Sequence, residues 1–173
     1  MSLHSAFPGA TGANELTGSG YARQSCTFNP ASGGVRNLAS STSFTVGAGH
    51  TVLWCGLWNG SSFQAYSPNG GSPREFQVDI AANTVSVLSH GWADGDAIVF
   101  YGGTIPTGLV EGTIYYVRDS ATNTFKVAAT AGGVAIDLTG TGATDCVVSR
   151  ITQTVYGGAD THTVNTWGIG AVF

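Results

Sequence analysis

Charge is what this sequence has least of. Only 9% of its 173 residues are Asp, Glu, Lys or Arg, against about 25% in an ordinary soluble domain. Six Lys and Arg spread along the chain, with a formal net charge of −4, make no basic patch, which argues against a nucleic-acid partner. No apolar run approaches the ~18–20 residues of a membrane-spanning helix, so no membrane insertion is expected. Met1-Ser-Leu-His opens without a charged start or an apolar core. No secretory leader is therefore expected, and the protein should act where it is made or leave the cell by lysis. Cysteine is scarce as well. Cys26, Cys55 and Cys146 are scattered, with no Cys-x-x-Cys pair. The odd count requires at least one thiol to be free or bonded between chains. Buried, reduced thiols are the favoured reading, and an intermolecular disulfide is the alternative.

Several chemistries lack their residues. His4, His50, His90 and His162 never stand two or four apart, nor at ligand spacing from a cysteine, so no metal site is expected. There is no Gly-x-Ser-x-Gly elbow for a serine nucleophile. Gly18-Ser-Gly20 and Gly140-Thr-Gly142 lack the lysine and helix of a phosphate loop. Asp94-Gly-Asp96 is too short for a calcium loop and reads as a polar turn. Asp79, Asp96 and Asp137 could meet as a hydrolase pair, but turn carboxylates are the simpler reading. His90, just before Gly91, reads as a strand-end residue bonding backbone. No catalytic residue and no cofactor are expected.

What the chain has in quantity is glycine, 26 residues, set between short β-branched and aromatic runs. That alternation predicts successive antiparallel strands joined by tight turns. Thr42–Val46, Thr84–Leu88, Ala97–Phe100, Gly112–Arg118, Thr124–Ala129, Val134–Leu138, Cys146–Ile151 and Thr161–Trp167 read as strands. So do Gln24–Phe28, more weakly Val35–Ala39, and a long apolar one over His50–Trp58. Asn59-Gly60 predicts a hairpin turn, and Ser67–Pro73 a loop whose prolines and glycines exclude a central strand. Residues 1–24 carry five Gly and Pro and read as an irregular arm, with turns at Pro8-Gly9 and Gly18-Ser-Gly20 and a single helical turn at Asn14-Glu15. The expected fold is all-β: an antiparallel, jelly-roll-like β-sandwich with a second small β-barrel or β-sandwich module inserted between its strands. The boundaries fall at 1–24 for the arm, 25–75 plus 152–173 for the outer sandwich, and 76–151 for the inserted module.

Two motifs carry a resemblance. Leu3-His-Ser-Ala-Phe-Pro-Gly-Ala-Thr-Gly-Ala-Asn-Glu-Leu-Thr-Gly-Ser-Gly-Tyr-Ala-Arg-Gln24 resembles the opening of small tailed-bacteriophage virion proteins, usually labelled tail fibre or minor structural protein. The likeness continues through Gly56-Leu-Trp58. A second phage β-module is matched by His90-Gly91, Gly95-Asp96, Val99-Phe100, Gly112-Thr113, Tyr115-Tyr116-Val117, Thr124–Ala128 and Ala135–Thr139. The resemblance implies a non-enzymatic virion structural protein, assembled in the host bacterial cytoplasm. It would decorate the capsid or the collar and tail surface by contacts with itself, as a homotrimer, and with other virion proteins. The alternative is a tail-fibre or tail-tip module binding a host-surface receptor or glycan.

The low charge suits such contacts, because few ions would have to lose water on closing them. Leu3, Phe7, Tyr21 and Arg23 of the arm are the expected anchors, with Val172 and Phe173 at the apolar C-terminus. Trp92 and Tyr101 are the expected contacts of the inner module. Of Trp92, Tyr101, Tyr115 and Tyr116, about two should instead belong to the core.

Overall fold

A computed structural model of the chain describes residues 1–32, 35–142 and 145–170. The strands before residue 70 are β1 (Ser2–His4), β2 (Val35–Asn37), β3 (Thr42–Val46), β4 (Thr51–Val52), β5 (Trp54–Asn59) and β6 (Ser62–Pro68). Next come β7 (Gln77–Asp79), β8 (Thr84–Ser86), β9 (Ala97–Tyr101), β10 (Ile114–Arg118), β11 (Thr124–Ala128) and β12 (Val147–Arg150). β13 (Thr154–Val155), β14 (Asp160–Val164) and β15 (Gly168–Gly170) complete the series. Every strand pair is antiparallel, so the chain is all-β with the layered packing of a β-sandwich. The one helical element described is a 3-10 turn at Gly9–Thr11, earlier than the turn expected at Asn14-Glu15. Two compact units divide the chain: unit 1 is Met1–Asn69 with Gln153–Phe173, and unit 2 is Gly70–Thr152.

Unit 1 holds the sheet β1-β5-β6 and the pairs β13-β4, β14-β3 and β15-β2. Alternation decides its strands. Thr42, Phe44 and Val46 point inward from β3 while Ser43 and Thr45 are exposed. β14 answers in register, with His162 opposite Phe44 and Val164 opposite Thr42. Outside, the Ser43 and Thr163 hydroxyls bond at 3.0 Å. Phe44, Val46, Val52, Leu3 and Leu16 form the core with Trp167 and Tyr156. Each such side chain contributes roughly 1.5–3 kcal/mol on burial. At the β5–β6 hairpin Asn59 pairs with Ser62, so the two turn residues are Gly60 and Ser61 rather than Asn59 and Gly60. Gly60 alone takes a positive φ, 58°, as a turn of type II′ asks of its first central residue.

Four expectations about unit 1 are corrected. The run over His50–Trp58 is broken at Leu53, whose N–H goes to the His4 carbonyl and whose carbonyl accepts from Asn69. Gln24–Phe28 is not a strand. Its backbone is taken by Met1 and Ala39, and Phe28 makes only an isolated bridge to Leu38. β6 runs on through Pro68 opposite Trp54, which the edge position of β6 permits. Residues 1–24 are not an arm that leaves the molecule. The Met1 amino group donates to the Gln24 carbonyl at 2.6 Å, the Leu3 carbonyl accepts from Leu16, and β1 lies along β5.

Unit 2 is a six-stranded sheet in the order β12-β9-β10-β11-β8-β7. Arg74, three residues before β7, exchanges both backbone hydrogen bonds with Val148 of β12, at 2.9 and 3.0 Å, an isolated bridge that forms a seam between the segment entering β7 and the far edge strand. Val85, Ile98, Phe100, Val117, Phe125 and Val148 fill the interior. Because Arg74 belongs to this seam, the boundary lies at 69/70 rather than at 75/76. Val134–Leu138 is not a strand. Asn83 uses its side chain to accept from Leu138 N–H and donate to the Ile136 carbonyl, both at 3.0 Å, which leaves only a bridge at Ala135.

Gly71 lies against the same seam. A Cβ there would sit 2.0 Å from the Arg150 carbonyl oxygen and 2.2 Å from Ser149 Oγ, and the first of these is backbone that cannot swing away. Gly71→Ala is expected to lower the stability of unit 2 by about 1–3 kcal/mol, read as faster amide exchange across β9 and β12. Unchanged exchange there would show that the seam bears no strain from the added methyl.

Candidate functional site

Strand β1 places Ser2 and His4 on one face, because residues two apart share a face of a strand, and turns Leu3 to the other. Opposite Ser2 stands Gly56, and opposite His4 stands Trp54. A Cβ on Gly56 would lie 2.5 Å from both Ser2 Oγ and His4 Nε2, so only glycine leaves room for the pair. Ser2 Oγ and His4 Nε2 are 2.7 Å apart. His4 Nδ1 lies 2.7 Å from the Ala13 carbonyl oxygen, and Trp58 Nε1 donates to Ser2 Oγ at 2.9 Å.

These contacts fix the tautomer. A carbonyl only accepts, so His4 Nδ1 carries the hydrogen, and Nε2 accepts from the Ser2 hydroxyl. Ser2 and His4 are both 0% exposed. Burial holds the His4 imidazole below its ordinary value of 6.5, against the opposing pull of the Ala13 carbonyl and Glu15.

A hydroxyl bonded to an imidazole that a third group orients is the geometry of an activated nucleophile. Here the hydroxyl lies under Gly56 and the Phe63 ring, closed to any substrate. The arrangement therefore acts as a clasp that ties β1 to β5 and to the 5–15 loop. Sequence reasoning missed Ser2 and took His4 only as a failed metal ligand. The available signal was Ser-x-His, whose partners at 56 and 58 are distant in sequence.

Beside the clasp, Arg23 donates from Nε to Glu15 Oε1 at 2.8 Å and from Nη2 to Oε2 at 2.6 Å. Its guanidinium lies 3.4 Å above the Trp58 ring, a cation–π stack. Tyr21 donates its hydroxyl to Glu15 and accepts from the Leu3 N–H. Burial, with the Glu15 charge adding to it, raises Tyr21 well above the usual phenol range. Arg23, Cys26, Phe28, Leu57 and Trp58 border an open groove of about 440 Å³ on unit 1.

The residues expected to make contacts are not gathered at one place. Leu3, 0% exposed, and Tyr101, 7% exposed, are buried in units 1 and 2. Both expectations are corrected: Leu3 faces the unit 1 core, and Tyr101, on the face of β9 opposite to Phe100, is covered within the chain all the same. Phe7 is half-buried, edge-on to Trp54 and Tyr66. Tyr21 is half-buried and stacked on Phe44. Trp92 is half-buried against His90 and Phe125. Arg23 is the one exposed residue of the set that the structure describes. Val172 and Phe173 lie outside the described residues.

The other candidate groups are tied to their own surroundings. Asp94 accepts from Ser120 N–H, and Asp96 from Ala93 N–H and Arg150. Asp79 accepts from Ala82 N–H, and His90 Nδ1 accepts from Trp92 N–H. Among the described residues no three of His, Cys, Asp and Glu come together as metal ligands would. All three cysteines are free thiols. Burial pushes Cys55 up to about 12, and burial with Glu111 and Asp145 nearby does the same to Cys146. Cys26, half-buried, is the thiol best placed to meet another chain. Comparison with protein-family models, with curated proteins and with solved structures found no match.

Proposed function

We propose that the chain is a non-enzymatic structural protein of a tailed-bacteriophage virion, assembled in the host cytoplasm. In this reading it decorates the capsid or the collar and tail surface, bound to its own copies as a homotrimer and to neighbouring virion proteins. The motif resemblance supports this role, and one structural observation carries it. The large apolar side chains that the surface exposes stand mostly on unit 2: Leu88 at 76%, Val110 at 64%, Val134 at 85% and Ile80 at 45%. The charged groups beside them are tied to backbone: Asp79 accepts from Ala82 N–H, Arg74 donates to the Leu88 carbonyl, Glu111 accepts from Gly102 N–H and Arg118 donates to the Gly133 carbonyl. Such a surface gains by being covered. Closed symmetry then multiplies modest contacts into a stable assembly.

A receptor-binding role is the second reading, and the unit 1 groove with Trp58 and Phe28 at its border favours it. Tyr101 does not contribute, being buried. Substituting Leu88, Val110 and Val134 together with serine should leave the fold intact but remove the protein from particles. Virions without the protein should release their genome at lower temperature. Normal incorporation of the triple variant sinks the decoration reading. Heat-stable virions that fail to adsorb to cells favour the receptor-binding one.

A further inference from the structure

We propose that the Ser2–His4–Trp58 chain is an acid-operated clasp: adding a proton to His4 frees strand β1 from β5 while the rest of unit 1 stays paired. The neutral clasp gives every donor hydrogen one acceptor. Trp58 Nε1–H donates to Ser2 Oγ, the Ser2 hydroxyl to His4 Nε2, and His4 Nδ1–H to the Ala13 carbonyl. A protonated imidazole has two donors and no acceptor. The Ser2 hydroxyl hydrogen then loses its only acceptor, in a site with no water access. Both side chains are fully buried, with Gly56 opposite Ser2 and the Phe63 ring edge-on to His4.

The charged surroundings do not rescue the cation. On the 9–24 segment, Glu15 faces His4 but is committed to Arg23 and Tyr21, and Arg23 itself opposes a second positive charge. The Met1 amino group, on the same terminus, is also positive. On β5 the ionisable group is Cys55, a neutral thiol. β4 has none, and β6 has only Tyr66.

β1 is the element positioned to leave. It has three residues, lies at the edge of its sheet and pairs as a strand with β5 alone. Leu16, Tyr21 and Leu53 add single hydrogen bonds and Leu3 packs in the core, so the clasp is the one acid-sensitive part of its hold. Short edge elements of this kind open locally, without global unfolding.

The test is amide exchange of the full chain from pH 7.5 to 5, corrected for intrinsic rates, with the His4 ring followed by NMR. Protection of Ser2–His4 should fall about tenfold per pH unit as the pH drops from about 6.5 towards the His4 midpoint, as one linked proton requires, and level off below it. H4Q, or H4N if H4Q does not fold, should abolish that slope at Ser2–His4, while Thr42–Val46 keeps the part of its pH dependence that His162 supplies. A slope at Ser2–His4 that survives the substitution overturns the proposal. So does a wild-type β1 opening whose midpoint parts from that of the His4 ring, a result that needs no variant.

Discussion

Phe100→Ala is expected to lower the stability of unit 2 by about 3–5 kcal/mol, the usual cost of removing a large ring from a closed core. Phe100 is 0% exposed. It sits on β9, which pairs with both β10 and β12. Its ring meets Phe76 edge-on at 5.2 Å and Tyr115 at 6.4 Å, so the cavity would open between the seam and the sheet opposite. Small domains hold about 5–15 kcal/mol in all, so much of unit 2 would unfold under mild denaturant. The measurement is residue-resolved exchange in urea. Amides of β9, β10 and β12 should lose protection far more than those of Thr42–Val46 in unit 1. A loss below about 1 kcal/mol, or an equal loss in β3, would contradict the core described for this unit. Val134→Ser, at a side chain 85% exposed, should stay within about 0.5 kcal/mol of the parent.

The contrast between those two positions bears on what the sequence could reveal. Strands whose side chains alternate cleanly were readable. Thr42–Val46 is a strand as its composition predicts, and the β9, β10 and β11 runs of unit 2 lie where β-branched and aromatic residues predict them. What could not be read was decided by partners far along the chain. Val134–Leu138 has strand composition, yet the amide of Asn83 takes its backbone groups. Residues 1–24 have loop composition, yet Leu3 fits an inward position beside β5 and draws the whole segment onto unit 1. The clasp is a sharper case. Ser-x-His at positions 2 and 4 is a weak signal, which gains meaning only once Gly56 supplies the space and Trp58 the donor. Tyr21 and Arg23 were recognised as anchoring residues, but Glu15, which joins them, was not. The surface expected at Tyr101 failed for the reverse reason. An aromatic ring buries against its own chain as readily as against a partner, and Tyr101 is covered although it lies on the face of β9 opposite to Phe100.

Lowering the pH from 7.5 to 5 is expected to weaken unit 1 steeply, because two of its histidines are buried in neutral form. His4 is one. His162 is the other: its Nδ1 lies 2.7 Å from the Tyr156 hydroxyl, and its Nε2 is buried without a hydrogen-bond partner. Burial lowers both imidazoles from the ordinary 6.5. The unfolded chain therefore takes up protons first as the pH drops. The stabilisation is complete above about pH 6.5, the unfolded value, and is lost as the pH falls through the depressed folded values. While both groups lag, linkage sets a slope of roughly 1.4 kcal/mol per pH unit for each proton, or about 2.7 together. His162→Gln should halve the slope, since Gln can still reach Tyr156 without titrating. The urea midpoint of unit 1, followed by exchange of Thr42–Val46 against pH, gives the measurement. A flat midpoint between pH 7.5 and 5 would refute the buried neutral state of both rings. Added salt separates this cause from surface repulsion. Screening acts on exposed charges over about 10 Å at 0.1 M and hardly at all on rings enclosed by Gly56, Phe63 and Phe44. The acid slope should therefore persist at 0.5 M salt, and if it disappeared there, surface charge rather than the two rings would be its source.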